Sequence, residues 1–165
     1  MKAAYADPPY PGQSHRYYHG AEVDHAALVA RLERDYDGWA LSTNEKGLRI
    51  VLPLCPPAVR VAVWMMPNWT LKQNLPFQNA WEPVLVKPLR KWARGDGVVI
   101  DHLVECKPMP QDRVITGQKP EAFSRWVFSM LKLKPEDELT DLFPGSGAVA
   151  RAHERWRKQS QLVLR

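Results

Sequence analysis

The sequence predicts an α/β fold with a largely parallel sheet and helices on both of its faces. Three observations carry that reading. Short apolar runs, each stopped by proline, glycine or a polar turn, alternate with segments whose apolar residues recur at helical spacing. The apolar runs show little polar alternation, the pattern of strands buried on both faces. The chain has 165 residues, the length of one domain that can bury a core without staples.

The elements follow in order. Ala3 to Ala6 is a short buried strand that must finish at Asp7-Pro8-Pro9, because two successive prolines cannot donate to a ladder. Residues 11–20, PGQSHRYYHG, form a turn-rich aromatic loop. Asp24 caps a helix in which Val23, Ala27, Leu28 and Leu32 recur on one face, and Asp37-Gly38 breaks it. Trp39 to Leu41 is a second buried strand, ended by Ser42-Thr43-Asn44. Glu45 to Leu54 is a short helix stopped by Cys55-Pro56-Pro57. Val59 to Met66 is the clearest strand. Residues 67–79 form a polar loop, across which Glu82 to Val86 pairs back as a hairpin.

Residues 88–117 read as a short insertion with a basic start and a strand at Val98–Ile100. Pro120, at the first helical position, opens a helix with Phe123, Trp126, Val127, Met130 and Leu131 on one face. Leu139 to Phe143 is a strand, and Gly145-Ser146-Gly147 leads into a helix from Ala148 to Lys158. The tail QLVLR is expected as one last short strand. Trp64, Trp81 and Trp126 are expected in the core, as are Cys55 and Cys106. For Trp69 and Trp92, base stacking and surface packing both stay open.

Net charge is +5 and unevenly placed: residues 1–80 carry 8 Lys/Arg against 7 Asp/Glu, and residues 81–165 carry 15 against 11. The densest patch is Lys87, Arg90, Lys91 and Arg94; a second is Arg151, Arg155, Arg157 and Lys158. With Trp92 and Trp156 between them, such patches suit a phosphate backbone; a solvated surface is the other reading. No apolar run approaches the ~18 residues of a membrane span, so no membrane partner is expected. The start MKAAYADPPY meets an acid and two prolines too early for a secretory signal, so the cytoplasm of the host cell is expected. Two cysteines cannot make a disulfide framework or a four-cysteine zinc site. His15 and His19 lack a clear third partner, and no metal is expected.

Three polar clusters fall at strand ends: Asp7 to Tyr10, Ser42 to Asn44, and Asp141 to Gly147. A parallel sheet brings such ends onto one rim, where ligands bind. In Asp141-Leu-Phe143-Pro-Gly145-Ser-Gly147, the glycines admit a ligand close to the backbone and the helix start favours a negative group. The acid accepts from an ammonium. The amino-acid end of S-adenosylmethionine carries both charges; a helix-start turn without a ligand is the other reading. In Asp7-Pro8-Pro9-Tyr10, a carboxylate and a proline carbonyl can accept both N–H groups of an exocyclic amine while the ring stacks on its base. Ser42 has no identifiable base that would make it a nucleophile.

Together these segments resemble an amino-group DNA methyltransferase of the N6-adenine type. DPPY at 7–10 is similar to that family's catalytic motif, and DLFPGSG at 141–147 to its cofactor motif. Gln118-Lys119-Pro120-Glu-Ala-Phe123 is similar to the segment that precedes the cofactor motif in circularly permuted members. The order is that of the permuted class often called beta, and the resemblance spans residues 3 to about 157. It implies a single, minimal, Rossmann-like methyltransferase sheet, mostly parallel with a terminal antiparallel hairpin. It implies that Asp7, Pro8, Pro9 and Tyr10 are catalytic, and that Asp141, Phe143, Gly145, Ser146, Gly147, Lys119, Pro120 and Phe123 hold S-adenosylmethionine. The implied partner is DNA, or else RNA, contacted by His15, Arg16, Tyr17, Lys87, Arg90, Lys91 and Arg94.

Two departures shape the expectation. The chain ends 18 residues after Gly147, with QLVLR as the stump of a further strand and no acid after it for the cofactor ribose; a homodimer partner would complete the pocket. Residues 88–117 are short for a target-recognition domain, so specificity is expected to be low and binding to lean on phosphates, with salt sensitivity. An enzyme for RNA or another amine, and a non-catalytic nucleic-acid-binding module of the same fold, are the competing expectations.

Overall fold

A computed structural model describes residues 1–12, 22–68, 71, 73, 74, 76–108 and 118–163. Six strands build its sheet: β1 (Lys2–Ala6), β2 (Gly38–Ser42), β3 (Arg60–Met65), β4 (Trp81–Lys87), β5 (His102–Val104) and β6 (Glu138–Asp141). The helices are α1 (His25–Asp35), α2 (Glu45–Val51), α3 (Glu121–Met130) and α4 (Ala148–Val163), with a 3-10 turn at Leu52–Leu54. The strand order is β5-β3-β4-β2-β1-β6. β1 pairs in parallel with β2 and β6, and β3 with β5; only β4 runs against its neighbours, β2 and β3. The expected hairpin is β3–β4, and β5 extends the sheet beyond it.

The pleat of β1 divides the core. Ala3 and Tyr5 point to the face covered by Phe123, Trp126 and Val127 of α3 and Val149 and Ala152 of α4. Ala4 and Ala6 point to the other, against Leu28, Val29 and Leu32 of α1 and Val51 of α2. Small side chains on β1 let both helical layers approach closely. Asp24 caps α1 by accepting from the Ala27 N–H at 2.9 Å, and Asn44 caps α2 by accepting from the Gly47 N–H at 2.6 Å; each such cap contributes about 1 kcal/mol.

Four boundaries differ from expectation. Val98–Ile100 is not a strand: the Ile100 carbonyl accepts the Trp126 indole N–H at 2.9 Å, and pairing starts at His102. Pro120 is the N-cap of α3 and not its first helical residue. β6 stops at Asp141 because that carboxylate accepts the Phe143 N–H at 3.2 Å, turning the chain. Residues 161–163 of the tail continue α4, since neither glycine nor proline interrupts it and Ser160 bonds back to the Trp156 carbonyl at 3.0 Å.

Gly38 carries a specific packing requirement. A Cβ there would lie 2.6 Å from the Leu89 N and 2.8 Å from the Lys87 carbonyl oxygen, both main chain. Gly38→Ala is expected to cost about 1–3 kcal/mol through overpacking, read as a lower denaturation midpoint with unchanged m.

Candidate active site

Parallel pairing sets the ends of β1, β2 and β6 on one rim, so Asp7, Ser42 and Asp141 converge although 134 residues separate the first from the last. Because β4 is antiparallel, its first residues arrive at the same rim, and they bring Glu82. The segment before α3 adds Lys119.

Lys119 is the centre of the arrangement. Its Nζ lies 3.2 Å from Asp7 Oδ2 and 3.0 Å from Glu82 Oε2, with a side chain only 6% exposed. The Tyr10 hydroxyl donates to Glu82 Oε2 at 3.0 Å and lies 3.3 Å from Lys119 Nζ. Its contact with Asp7 Oδ1 is 3.5 Å, too long for a strong bond. The rings of Trp64, Phe123 and Tyr10 surround the ammonium at 5.5, 5.8 and 5.9 Å, inside cation–π range. Phe123 forms the floor, packed 5.2 Å from Trp64 and 6.1 Å from Tyr5.

Charge follows from this geometry. Burial raises the Asp7 carboxyl above its ordinary value, Glu82 adds to the rise, and Lys119 works against it. Burial opposes the charge on Glu82 as well, but Lys119 and the Tyr10 hydroxyl overcome it and hold that carboxyl low. Burial also opposes the Lys119 ammonium, yet the two carboxylates together keep it protonated well above the usual lysine range. Tyr10 is pushed far up by burial and by both acids, and stays neutral. Two carboxyl groups thus share one ammonium in the triad Asp7–Lys119–Glu82, with Asp7 the more basic of the two.

The glycine bend lies beside it. Gly145 and Gly147 have φ of +46° and +72°, the left-handed region that side chains disfavour. The Gly147 N–H closes the turn on the Pro144 carbonyl at 2.6 Å, and Arg151 donates to the Ser146 carbonyl at 2.7 Å. Asp141 is half-buried, and burial, with a contribution from Asp7, raises its carboxyl. A cavity of about 260 Å³ runs between the starts of α3 and α4, lined by Pro108, Lys119, Pro120, Ala148, Arg151 and Arg155 among others. Lys119 thus belongs to both places: it lines the cavity and reaches the acid–proline corner.

The fold, compared with proteins of known structure, has clear counterparts. The M1.HpyAVI–SAM complex superposes with a TM-score of 0.64 at 19% identity, covering 94% of this chain and 78% of that one. M1.HpyAVI alone gives 0.60 at 15% identity, over 94% and 76%. The six-stranded α/β fold, mostly parallel with one antiparallel strand, is shared with these structures. No family model matches the chain, and no curated protein does.

Other site expectations fare differently on this sheet. Lys87 ends β4 at the edge opposite the rim and pairs with Glu33 at 2.8 Å. Arg90 makes a bidentate pair with buried Asp137, at 2.6 and 2.7 Å. Both side chains are thus engaged in ion pairs that hold the fold, at the edge away from the rim. Lys91 and Arg94 are exposed beyond that same edge. His15, Arg16, Tyr17 and Trp69 lie outside the described residues. Ser42 is buried, with Oγ 2.9 Å from the Tyr5 hydroxyl, a structural bond and not a nucleophile's. Cys55 is half-buried, and burial pushes its thiol up to about 11; Cys106 is exposed, contrary to the expectation of a core position. Sequence reasoning missed Glu82 and the ring of Trp64. The signal for Glu82 was an acid at the start of a strand that pairs antiparallel, which reverses the rim its first residue reaches.

Proposed function

We propose that the protein is an S-adenosylmethionine-dependent methyltransferase acting on the N6 amino group of adenine in DNA. The observation that carries this reading is Asp7, locked by two prolines, at the end of β1 beside the end of β6 from which the Gly145–Gly147 bend follows, with Lys119 bound to Asp7 and lining a cavity that also meets the start of α4. The fold of M1.HpyAVI, a DNA adenine methyltransferase, supports it.

The residues fit the cofactor. S-adenosylmethionine carries an ammonium, a carboxylate and a sulfonium. Asp141 is an acceptor for the first. The start of α4 beside Arg151 suits the second. The carboxyl groups of Asp7 and Glu82 outnumber the one ammonium between them and suit a cation nearby. When bound, the cofactor supplies an electrophilic methyl group.

The chain's own residues do the rest. An aromatic amine is a poor nucleophile because its lone pair is delocalised into the ring. Asp7 Oδ1, the oxygen not held by Lys119, accepts one N–H of the amine, and the Pro8 carbonyl accepts the other. That pulls the nitrogen toward tetrahedral geometry and frees the lone pair. Tyr10 stacks on the base, whose extrusion from a duplex costs a few kcal/mol. Alignment supplies much of the rate. The proton that the methylated nitrogen sheds passes to Asp7 Oδ1, a carboxylate whose raised affinity for protons suits it to the task.

DNA is the favoured acceptor on the +5 net charge and the M1.HpyAVI likeness. The test uses labelled S-adenosylmethionine with plasmid DNA from a methylation-deficient host, RNA, free nucleotides and protein in parallel. Label recovered as N6-methyladenine from DNA is expected. Label on RNA alone would move the substrate. No label on any acceptor, with no heat on titration of millimolar cofactor, would leave a non-catalytic module.

A further inference from the structure

We propose that Glu82 and Lys119 are positioning residues of this site, Lys119 tying Asp7 to Glu82 and Glu82 tying down the Tyr10 hydroxyl. The inference rests on the reading above for its functional meaning, but its geometry stands apart from it.

The contacts divide the labour. Asp7 Oδ2 is held by Lys119 at 3.2 Å, which leaves Oδ1 as the oxygen turned to an amine. Glu82 Oε2 accepts from both Lys119 and Tyr10, each at 3.0 Å. One carboxylate oxygen thus fixes the two groups that flank the place of the base. A tyrosine used only as a stacking plate needs no such tether for its hydroxyl. The ammonium is itself confined by three rings within 5.9 Å, so it cannot swing to a new partner without leaving that box.

The electrostatics give the pair its purpose. The charged and titratable groups acting on Asp7 are Lys119 before α3, Glu82 on β4 and Tyr10 in its own corner. Tyr5 lies beneath on β1, coupled to both Asp7 and Lys119; Asp141 at the end of β6 feels Asp7, and Lys107 acts on Glu82. Of these, Lys119 alone favours the Asp7 anion by its full charge. Without it, two partly buried carboxylates face each other, and like charges at such range cannot both stay ionised. A protonated Asp7 would present an O–H where the amine needs an acceptor. Glu82 has the opposite effect on Asp7, and it anchors Lys119 so that the ammonium is not spent on Asp7 alone.

A merely structural ion pair would also move the titration of Asp7, so the readout that separates the two is kcat and its acid limb at an unchanged cofactor Kd, with the midpoint showing that the coupling exists. The test therefore follows the Asp7 carboxyl by carbon-13 NMR in the full chain, assigned with Asp7→Asn, in wild type, Lys119→Gln, Lys119→Arg and Glu82→Gln. Lys119→Gln is expected to raise the Asp7 midpoint by about one pH unit or more. Glu82→Gln is expected to lower it, and Lys119→Arg to leave it near wild type. In methyl transfer, Lys119→Gln is expected to lower kcat about tenfold or more, with the acid limb moved upward and cofactor Kd within about threefold of wild type. An Asp7 midpoint unmoved by Lys119→Gln and Glu82→Gln would overturn the proposal. So would a cofactor Kd raised tenfold by Lys119→Gln with that midpoint fixed, which would make Lys119 a cofactor ligand instead. If Lys119→Gln does not fold, the downward shift in Glu82→Gln and the unchanged midpoint in Lys119→Arg decide. If wild type methylates nothing yet the midpoints move as expected, the functional reading fails and the coupling of Asp7, Lys119 and Glu82 is left as an ion-pair network of the fold; if wild type methylates and Lys119→Gln moves the midpoint without lowering kcat, the positioning role fails alone.

Discussion

Asp7→Asn should cut methyl transfer at least a hundredfold while cofactor binding stays within about threefold, in the range lost when a preorganised polar group at a reacting centre is removed. The substitution keeps the shape of the side chain and reverses what half of it does. An amide nitrogen facing the amine would present a donor to a donor. The charge that steadies a developing positive nitrogen also disappears, and Lys119 is left with Glu82 alone. Folding is expected to survive. Burial raises the folded-state carboxyl of Asp7, so ionising it at neutral pH costs stability, and that cost grows as pH rises through the raised value. Removing the charge lifts the cost, and the thermal midpoint of Asp7→Asn should equal or exceed that of wild type. A variant that keeps a tenth of the wild-type rate would show that the amine is held by something else.

The same shifts fix the pH profile of the wild type. Transfer needs the Asp7 anion, so its rate should fall on the acid side at a pH above the ordinary carboxylate value. No alkaline limb should come from Lys119 or Tyr10, because both are held in one protonation state far above neutrality. An alkaline fall between pH 8 and 10, with the protein still folded, would place a different titrating group at the reacting centre.

Much of this site is legible in the order of the residues. The prolines at 8 and 9 announce where β1 ends, the glycines at 145 and 147 announce a bend, and a parallel sheet puts both on one rim. Glu82 is legible only in part. The expected hairpin already runs β4 backward, which carries its first residues to the rim, but nothing in Trp-Glu-Pro-Val marks the acid as aimed at a lysine 37 positions later. Lys119 was visible as a motif residue, but its ammonium sits between Asp7 and Glu82, and no motif encodes that pairing. The surroundings of the basic run at 87–94 were hidden for a related reason. Clustered charge in sequence says nothing of which edge of a sheet it decorates, and an arginine beside an unseen buried acid is already committed.

That commitment yields the largest stability effect expected in this chain. Asp137 sits before β6 with no exposed side-chain surface. It accepts from both arms of Arg90, from the Lys134 N–H at 2.8 Å and from the Met1 ammonium at 3.0 Å. Arg90 also donates to the Lys132 carbonyl at 3.0 Å, so one guanidinium ties the end of β4 to the turns that follow α3. Removing one partner of such a pair strands the other. Since Arg90 keeps some solvent contact, Asp137→Asn should cost about 3 kcal/mol, the lower end for a buried pair. For a chain of this size that is roughly 6–12 °C in Tm. Arg90→Met should cost a similar amount, and the double variant less than the two together, because neither charge is then left alone. The hydrogen bonds from Arg90 hold the Asp137 carboxyl well below the usual range. Its folded value lies below its unfolded one, so its stabilisation is complete above the ordinary carboxylate pKa of about 3.9 and is lost as pH falls through the folded value. The gap in stability between wild type and Asp137→Asn should therefore stay constant from pH 7 to about 5 and close below about 4. Arg90→Met that weakened DNA binding with no loss of Tm would return Arg90 to the nucleic-acid surface and remove it from the frame of the fold.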